Sequence, residues 1–184
     1  MAAPVNPESE QRLQTLRHVI KEAFSFFDKV GNQTVFPEDV GIIMRYLGQF
    51  PQQTELVDVI LPQIQNDDEN VVTFQAFEEL MLRCMLDHKY DPDDAETLLA
   101  AFHVLDPDDK GWIDTIQMRD YLSSGSGVGA FTEKEMNEFL EFAKDKESGD
   151  SSKIYYEDYV AKLYGTVEKH IEQLYQDARG GPKR

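Results

Sequence analysis

The sequence has one cysteine, few basic residues and no long apolar run. Because Cys84 is the only cysteine among 184 residues, no disulfide can form within one chain, and a reducing compartment is the simplest context. No stretch approaches the roughly 18 consecutive apolar residues of a membrane-spanning helix. The first residues also lack the basic and apolar pattern of a signal peptide. We therefore expect a cytoplasmic chain that is neither secreted nor membrane-spanning.

Positive charge is also scarce. The chain carries 18 basic against 35 acidic residues, a formal net charge of -17. A nucleic-acid partner needs a basic face, so this balance argues against one. A basic peptide or helix would suit the acidic surface better. The alternative is that the charge forms a solvated surface that serves solubility alone.

Recognisable catalytic motifs are missing as well. The four histidines are scattered, and neither a glycine-rich phosphate loop nor a nucleophile elbow is present. Cys84 lies on an apolar helix face, where a small buried hydrophobe is a commoner role than a reactive thiol. We predict no enzyme and no cofactor.

What the chain does contain is an internal repeat. The segment 23–28 (AFSFFD) matches 101–106 (AFHVLD) at an offset of 78 residues, whereas Val72 and Phe74 match Ile154 and Tyr156 at an offset of 82. About four residues were therefore added inside the second half. Apolar residues at three- and four-residue steps predict a helix on each side of four loops.

These patterns predict an all-α fold of two lobes, each built from two helix-loop-helix hands. Thr132 with Glu135 forms a capping box that predicts a helix over 133–143, and Pro62 should kink or end the helix that begins at Leu56. The predicted organisation is a flexible N-terminus at 1–12, lobes at 13–87 and 95–165, a connector at 88–94, and a helical extension with a basic tail at 166–184.

Each loop can be compared with the twelve-residue calcium loop. Calcium takes roughly six to eight oxygens, from loop positions 1, 3, 5, 7 and 9 and a bidentate Glu at 12, with Gly at 6. The first loop starts at Asp28 but has Val30 at position 3 and the shorter Asp39 at 12. The second runs from Gln65 to Ala76, without a closing carboxylate, and its entering helix is out of register by one residue.

The third loop comes closest to binding calcium. Asp106, Asp108 and Asp114 hold positions 1, 3 and 9 and are its weak candidate metal ligands. Lys110, however, places a cation at a ligand position, and Gln117 offers a single neutral oxygen at position 12. The fourth loop, 144–158 through Glu147, Gly149 and Asp150, is too long and does not form a cage. The sequence therefore predicts weak or absent calcium binding, with no confident metal site.

Position 8 carries a β-branched residue in every loop. These residues are predicted to pair two by two as short antiparallel strands, Val35 with Val72 and Ile113 with Ile154. With the buried phenylalanines, such pairing could hold each lobe together without an ion.

Apolar residues in the helices define candidate partner-binding positions. Flexible methionine side chains favour a groove for an amphipathic helix, and the candidates are Met44, Leu47, Met81, Met85, Leu122, Phe139 and Leu163. The alternative for each residue is that it closes its own lobe's core.

The segments 20–48 (IKEAFSFFDKVGNQTVFPEDVGIIMRYLG) and 96–122 (ETLLAAFHVLDPDDKGWIDTIQMRDYL) resemble the calmodulin and myosin light chain family of EF-hand proteins. Residues 89–92 (KYDP), followed by 98–106 (LLAAFHVLD), are more narrowly similar to the family of the small EF-hand subunit 8 of the dynein regulatory complex. That complex forms the nexin link between outer doublet microtubules of motile cilia and flagella.

The resemblance implies a structural calmodulin-like subunit of the ciliary or flagellar axoneme. It would clamp basic amphipathic or coiled-coil helices of other subunits of that complex, help regulate dynein-driven motility, and act largely without calcium. The alternative is a calcium sensor or light chain that binds a basic IQ-type helix of a motor or another target.

Overall fold

The computed structural model describes residues 7–66, 68–124, 130–144 and 150–178. The described chain forms two compact units. The first takes the residues up to Pro92 together with those from Lys169 onward, and the second runs from Asp93 to Glu168. The final turns of the last helix therefore belong with the N-terminal half of the chain, whereas the sequence predicted residues 166–184 to be a separate helical extension with a basic tail.

The first hand of the first unit consists of helix α1 (Pro7–Phe27), strand β1 (Thr34–Val35) and helix α2 (Pro37–Tyr46). Of the predicted flexible N-terminus at 1–12, residues 7–12 lie in α1, and residues 1–6 lie outside the described residues. Proline suits the first turn of a helix, where its missing N–H removes no bond. From Leu16 onward α1 buries one face at three- and four-residue spacing, at Leu16, Val19, Ile20, Ala23 and Phe24.

The second hand enters through an irregular helix. Helix α3 (Gln53–Glu55) continues into a π-helical turn (Leu56–Ile60) and then helix α4 (Leu61–Ile64). The N–H of Leu61 donates to the carbonyl of Leu56, five residues back. A π turn accommodates one extra residue, which accounts for the one-residue mismatch in the sequence. The helix continues past Pro62, which lies in the first turn of α4, and ends at Ile64.

Strands β2 (Gln65–Asn66) and β3 (Val71–Thr73) precede helix α5 (Phe74–Leu86). The sheet has the order β1-β3-β2, and Val35 lies opposite Val72, which confirms the predicted loop pairing. Strand β2 was not predicted. It uses the opening residues of the second loop, with Gln65 opposite Val72.

The second unit contains helices α6 (Ala95–Leu105), α7 (Thr115–Ser123) and α8 (Glu133–Ala143), strands β4 (Trp112–Asp114) and β5 (Lys153–Tyr155), and the start of helix α9 (Tyr156–Ala178). Helix α8 has the predicted bounds, and both bonds of the Thr132–Glu135 capping box are present. Asp94 caps α6 by accepting from the Thr97 N–H at 2.7 Å. Ile113 lies opposite Ile154, which confirms the second predicted pair.

Each unit has its own apolar core. In the first unit it joins α1, α2, the π turn, β3 and α5, with the Phe24 and Phe77 rings 5.4 Å apart. In the second unit it centres on Phe102, Ile113, Ile154 and Tyr156. The predicted all-α class with short paired loop strands is confirmed. No helix within the described ranges has both the length and the apolarity that a membrane span needs.

Candidate functional site

The backbone of the first loop closes around its leading carboxylate. Asp28 Oδ1 accepts from the N–H of Gly31 at 2.8 Å, and Asp28 Oδ2 accepts from the N–H of Gln33 at 2.8 Å. Gly31 and Gln33, at positions 4 and 6, have positive φ angles of 75° and 62°. A glutamine in this left-handed region is uncommon and strained. The loop therefore keeps a sharp turn although the usual glycine is absent.

The third loop has the same backbone shape. Asp109 and Gly111, again at positions 4 and 6, have φ angles of 51° and 80°. Asp106 is 3% exposed, and its Oδ2 accepts from the Gly111 N–H at 2.9 Å and from the Tyr156 hydroxyl at 3.2 Å. Its Oδ1 is buried without a partner among the described residues. The leading aspartate of this loop is thus held by a side chain from the neighbouring loop.

The other candidate ligands of the third loop have protein partners. Asp114 caps α7, with its Oδ1 accepting from the Ile116 N–H at 2.8 Å. Asp108 lies 3.6 Å from the Lys110 ammonium. The Gln117 amide donates to the Tyr121 hydroxyl at 2.7 Å. The sequence identified Asp108 and Asp114 as weak candidate ligands and Gln117 as a fault of the loop, and the structure shows which protein contact each one makes.

The two even-numbered loops are farther from a metal cage. The second begins inside the sheet, where Gln65 Nε2 donates to Asn70 Oδ1 at 3.0 Å. In the fourth, Glu147 and Gly149 lie outside the described residues. Asp150 accepts from the Ser152 N–H at 3.0 Å and pairs with Lys153 at 3.2 Å. These contacts give the Asp150 carboxylate partners within the protein.

Taken together, the described residues of the loops do not offer the full set of ligands that calcium takes. Among the described loop residues, the buried and unpartnered Asp106 Oδ1 is the atom that would favour a cation. The same loop, however, has a lysine at position 5 and an amide at position 12, where calcium needs a bidentate carboxylate. Across the part of the chain that the structure describes, no three histidine, cysteine or acidic side chains form a group able to hold a metal. The donor set of the described loop residues does not fit a resident calcium ion.

Burial shifts the pKa of two side chains, Cys84 on α5 and Tyr156 beside the third loop. Burial raises the pKa of the Cys84 thiol, so the neutral form is favoured on α5. Burial together with the neighbouring Asp106 carboxylate raises the pKa of Tyr156. Tyr156 therefore keeps the proton that it donates to Asp106. Neither residue has the lowered pKa of an activated nucleophile.

The apolar candidates of the first unit lie in its core. Met44 and Met81 are fully buried, while Leu47 and Met85 retain only slight exposure. All four belong to the same apolar cluster. A partner helix could contact them only at a place where this cluster reaches the surface.

One such place is covered by the end of α9. Leu174 and Tyr175 pack against the cluster of the first unit. Ile171 Cδ1 would lie 3.0 Å from a Cβ at Gly48, and the His170 and Tyr46 rings are 4.8 Å apart. We call His170, Ile171, Leu174 and Tyr175 the C-terminal stripe. The sequence analysis missed it, although spacing at i, i+1, i+4 and i+5 is the pattern of an amphipathic helix face.

The candidates of the second unit are less buried. Leu122, Phe139 and Leu163 are each partly exposed. Leu122 and Phe139 pack at the edge of the second core, and the Phe139 ring lies 5.5 Å from that of Tyr159. A partner could reach these side chains with little rearrangement, so they remain candidate contact residues.

Comparison with known proteins gives relatives across most of the chain. No family model matches the sequence. A mouse (Mus musculus) dynein regulatory complex protein 8 is 32% identical over 84% of this chain and 92% of its own length. The human (Homo sapiens) protein of that name is 35% identical over 59% of this chain, which spans only 40% of the human protein. Probable calcium-binding protein CML14 of Arabidopsis thaliana is 32% identical over 78% of this chain and 89% of its own.

Two solved structures have the same fold. The regulatory domain of Physarum polycephalum myosin II superposes with a TM-score of 0.62 at 26% identity, covering 78% of this chain and 91% of that one. Mlc1p bound to IQ2 of Myo2p, a class V myosin, superposes with a TM-score of 0.59 at 20% identity, covering 78% and 95%. The expected likeness to myosin light chains is confirmed.

Proposed function

The chain belongs to the family of dynein regulatory complex protein 8, and from this premise we propose that it is a structural EF-hand subunit of the axonemal nexin-dynein regulatory complex. It clamps helical segments of partner subunits and helps regulate ciliary or flagellar motility largely without calcium. The observation that carries the proposal is the mouse relative, which this chain matches over 92% of its length. We propose no catalytic activity for it.

Calcium independence is supported by contacts inside the loops. Position 12, which supplies two oxygens in a working loop, holds Asp39, Ala76 and Gln117 in the first three loops. Asp28 and Asp106 accept from backbone N–H groups of their own loops. Paired strands and buried aromatic side chains then stabilise each unit. Burying one such aromatic side chain contributes on the order of 2 kcal/mol.

Helical partners are supported by the fold. Among the similar structures, Mlc1p is bound to IQ2 of Myo2p. Pairs of helices of this kind accept an amphipathic helix along an apolar face. The net charge of -17 favours a basic helix, because opposite charges raise the association rate and reduce binding to acidic competitors. The partly exposed Leu122, Phe139 and Leu163 remain our proposed contacts in the second unit.

The proposal can be tested in isolated axonemes that contain an epitope-tagged copy of the chain. Chemical cross-linking followed by mass spectrometry should identify helical subunits of the regulatory complex as its neighbours. Recovery of those neighbours should be the same in a calcium chelator and in about 1 mM calcium, which exceeds the affinity range of sensor loops. An axonemal fraction that lacks the chain, or cross-links only to unrelated proteins, would contradict the assignment.

A calcium sensor or light chain that binds an IQ-type helix is the second candidate. The Arabidopsis relative named as a probable calcium-binding protein favours it. A sensor should show a saturable change in Trp112 emission below about 0.1 mM calcium, because Trp112 lies in the third loop. It should also bind its target more than tenfold tighter with calcium than without, whereas the structural subunit should give a flat titration and equal affinities.

A further inference from the structure

The C-terminal stripe occupies a surface that suits a helix from another protein. Building on the proposed function, we propose that the face of the first unit beneath this stripe is the docking site for a partner helix. That helix is basic and amphipathic, with apolar residues at i, i+1, i+4 and i+5. The end of α9 is a replaceable occupant that covers the site until the partner binds.

The first support comes from the end of α2, where the backbone makes a specific contact with α9. The last four carbonyls of a helix lack partners inside that helix. Three of them, on Ile43, Met44 and Arg45, accept from the N–H groups of Leu47, Gln49 and Gly48. The fourth, on Tyr46, accepts from His170 Nε2 at 2.8 Å. A side-chain donor on an incoming helix therefore completes this helix end.

The second support is the shape of the chain at Gly48. Its φ angle of +80° lets the backbone turn sharply after α2, and it has no side chain between the backbone and α9. A Cβ at this position would lie 3.0 Å from Ile171 Cδ1, closer than ordinary contact. The glycine therefore leaves room for an aliphatic side chain from a helix above it.

The third support is that the end of α9 packs at this surface without becoming fully buried. Every member of the stripe stays partly exposed, and His170 bonds to Tyr46 at a solvent-exposed position. Within the segment 169–176, Lys169 and Glu172 carry opposite charges that cancel, so this segment is not basic. A basic helix of the same apolar spacing would make equivalent contacts and would also be attracted by the acidic chain.

A covered site lowers the apparent affinity for a competitor in proportion to the fraction of molecules in which it is open. A segment on the same chain also competes at a high effective concentration, in the millimolar range for a short connection. Loosening the stripe should therefore strengthen binding of a helix added from outside. The natural probe is a fluorescein-labelled peptide of residues 166–178, because it carries the apolar pattern that the site already accepts.

The experiment compares full-length chains by fluorescence anisotropy. Leu174→Glu places a charge against the apolar cluster and should raise peptide affinity about tenfold over the unchanged chain. Gln173→Glu makes the same charge change at the neighbouring exposed position and should leave affinity unchanged. His170→Ala removes the hydrogen bond to the Tyr46 carbonyl and the ring contact with Tyr46, and it should give a smaller rise in the same direction. Far-UV circular dichroism checks that each variant is folded.

The proposal is overturned if Leu174→Glu and His170→Ala bind the peptide no better than Gln173→Glu. It is also overturned if sedimentation shows that the unchanged chain dimerises by exchanging α9 between copies. A parallel axoneme pull-down separates this result from the proposed function. A chain that joins the complex without the affinity rise refutes the docking site alone, whereas an affinity rise without axonemal association refutes the functional assignment alone.

Discussion

The two units are formed by the two halves of an internal sequence repeat, yet they bury their apolar residues to different extents. In the first unit the fully buried set spans α1, α2, the π turn, β3 and α5, whereas the second buries far fewer of its described residues and leaves Leu98, Leu99, Phe139 and Tyr159 partly exposed. The first unit also gains a third strand and a covering helix end. Its extra elements complete its core.

The difference separates two roles that the sequence placed equally in both lobes. A closed core cannot open a groove without losing contacts, so the partner helix that we propose for the first unit would bind at the surface where α9 now packs. The second unit has partly exposed aromatic side chains that can rearrange at lower cost. It also contains the loop that departs least from a calcium site. We therefore propose that a partner docks on the first unit without rearranging its core, and that the apolar edge of the second unit adapts to its partner.

The largest expected contrast comes from removing one core phenylalanine in each unit. Phe77→Ala opens a cavity beside Phe24 and should destabilise the first unit by about 3–5 kcal/mol. Phe102→Ala, at a slightly exposed ring stacked on Tyr156, should cost about 3 kcal/mol in the second. Urea unfolding followed by Trp112 emission, which reports the second unit, should shift only for Phe102→Ala.

Circular dichroism supplies the matching measurement, because it follows helix loss in both units. For Phe77→Ala it should reveal an early transition that Trp112 emission does not detect. If both variants shift both signals by the same amount, the units unfold as one cooperative body and the contrast in stability does not hold.

Much of this contrast could be anticipated from residues close together in the chain. The bounds of α8, the capping box at Thr132 and the pairs Val35–Val72 and Ile113–Ile154 follow from local spacing, and all are present. The π turn and β2 could not be predicted in the same way. A helix can accommodate one extra residue in several ways, and tertiary packing decides which of them is adopted. The C-terminal stripe was missed because its partner surface lies more than a hundred residues away.

A smaller contrast concerns the loops. Lys110→Asp with Gln117→Glu gives the third loop a carboxylate at each faulty position, around the retained turn at Gly111, and should create one calcium site tighter than about 0.1 mM by calorimetry. Lys110→Asp alone lacks the bidentate ligand and should bind more weakly than about 1 mM. Ala76→Glu in the second loop should create no site, because Gln65 at its first position is part of the sheet.

Absence of heat in the double variant would mean that the third loop starts at a residue other than Asp106. A site created by Ala76→Glu would show that the first unit keeps more calcium chemistry than its paired strands suggest. Either result would weaken the assignment of residual metal capacity to the second unit.

The smallest expected contrast between the two units is in how their helix caps respond to acid. Helix α5 of the first unit is capped by the neutral Thr73, whereas α6 of the second is capped by Asp94, which accepts from the Thr97 N–H. These hydrogen bonds lower the pKa of Asp94 below its ordinary value of 3.8. The cap therefore stabilises α6 fully above pH 3.8, and this contribution is lost as pH falls through the lowered value of the folded state.

Asp94→Asn keeps a capping oxygen but cannot titrate. Relative to this variant, the unchanged chain should be slightly more stable near neutral pH, and the advantage should vanish in acid when the Trp112 urea midpoint is followed downward from pH 6. Because Thr73 has no charge to lose, Thr73→Ser should give a difference that does not change over the same range. The opposite result would be a stability advantage of the unchanged chain over Asp94→Asn that grows as the pH falls. It would show that the charged carboxylate destabilises α6, and that the two caps do not respond to pH as proposed.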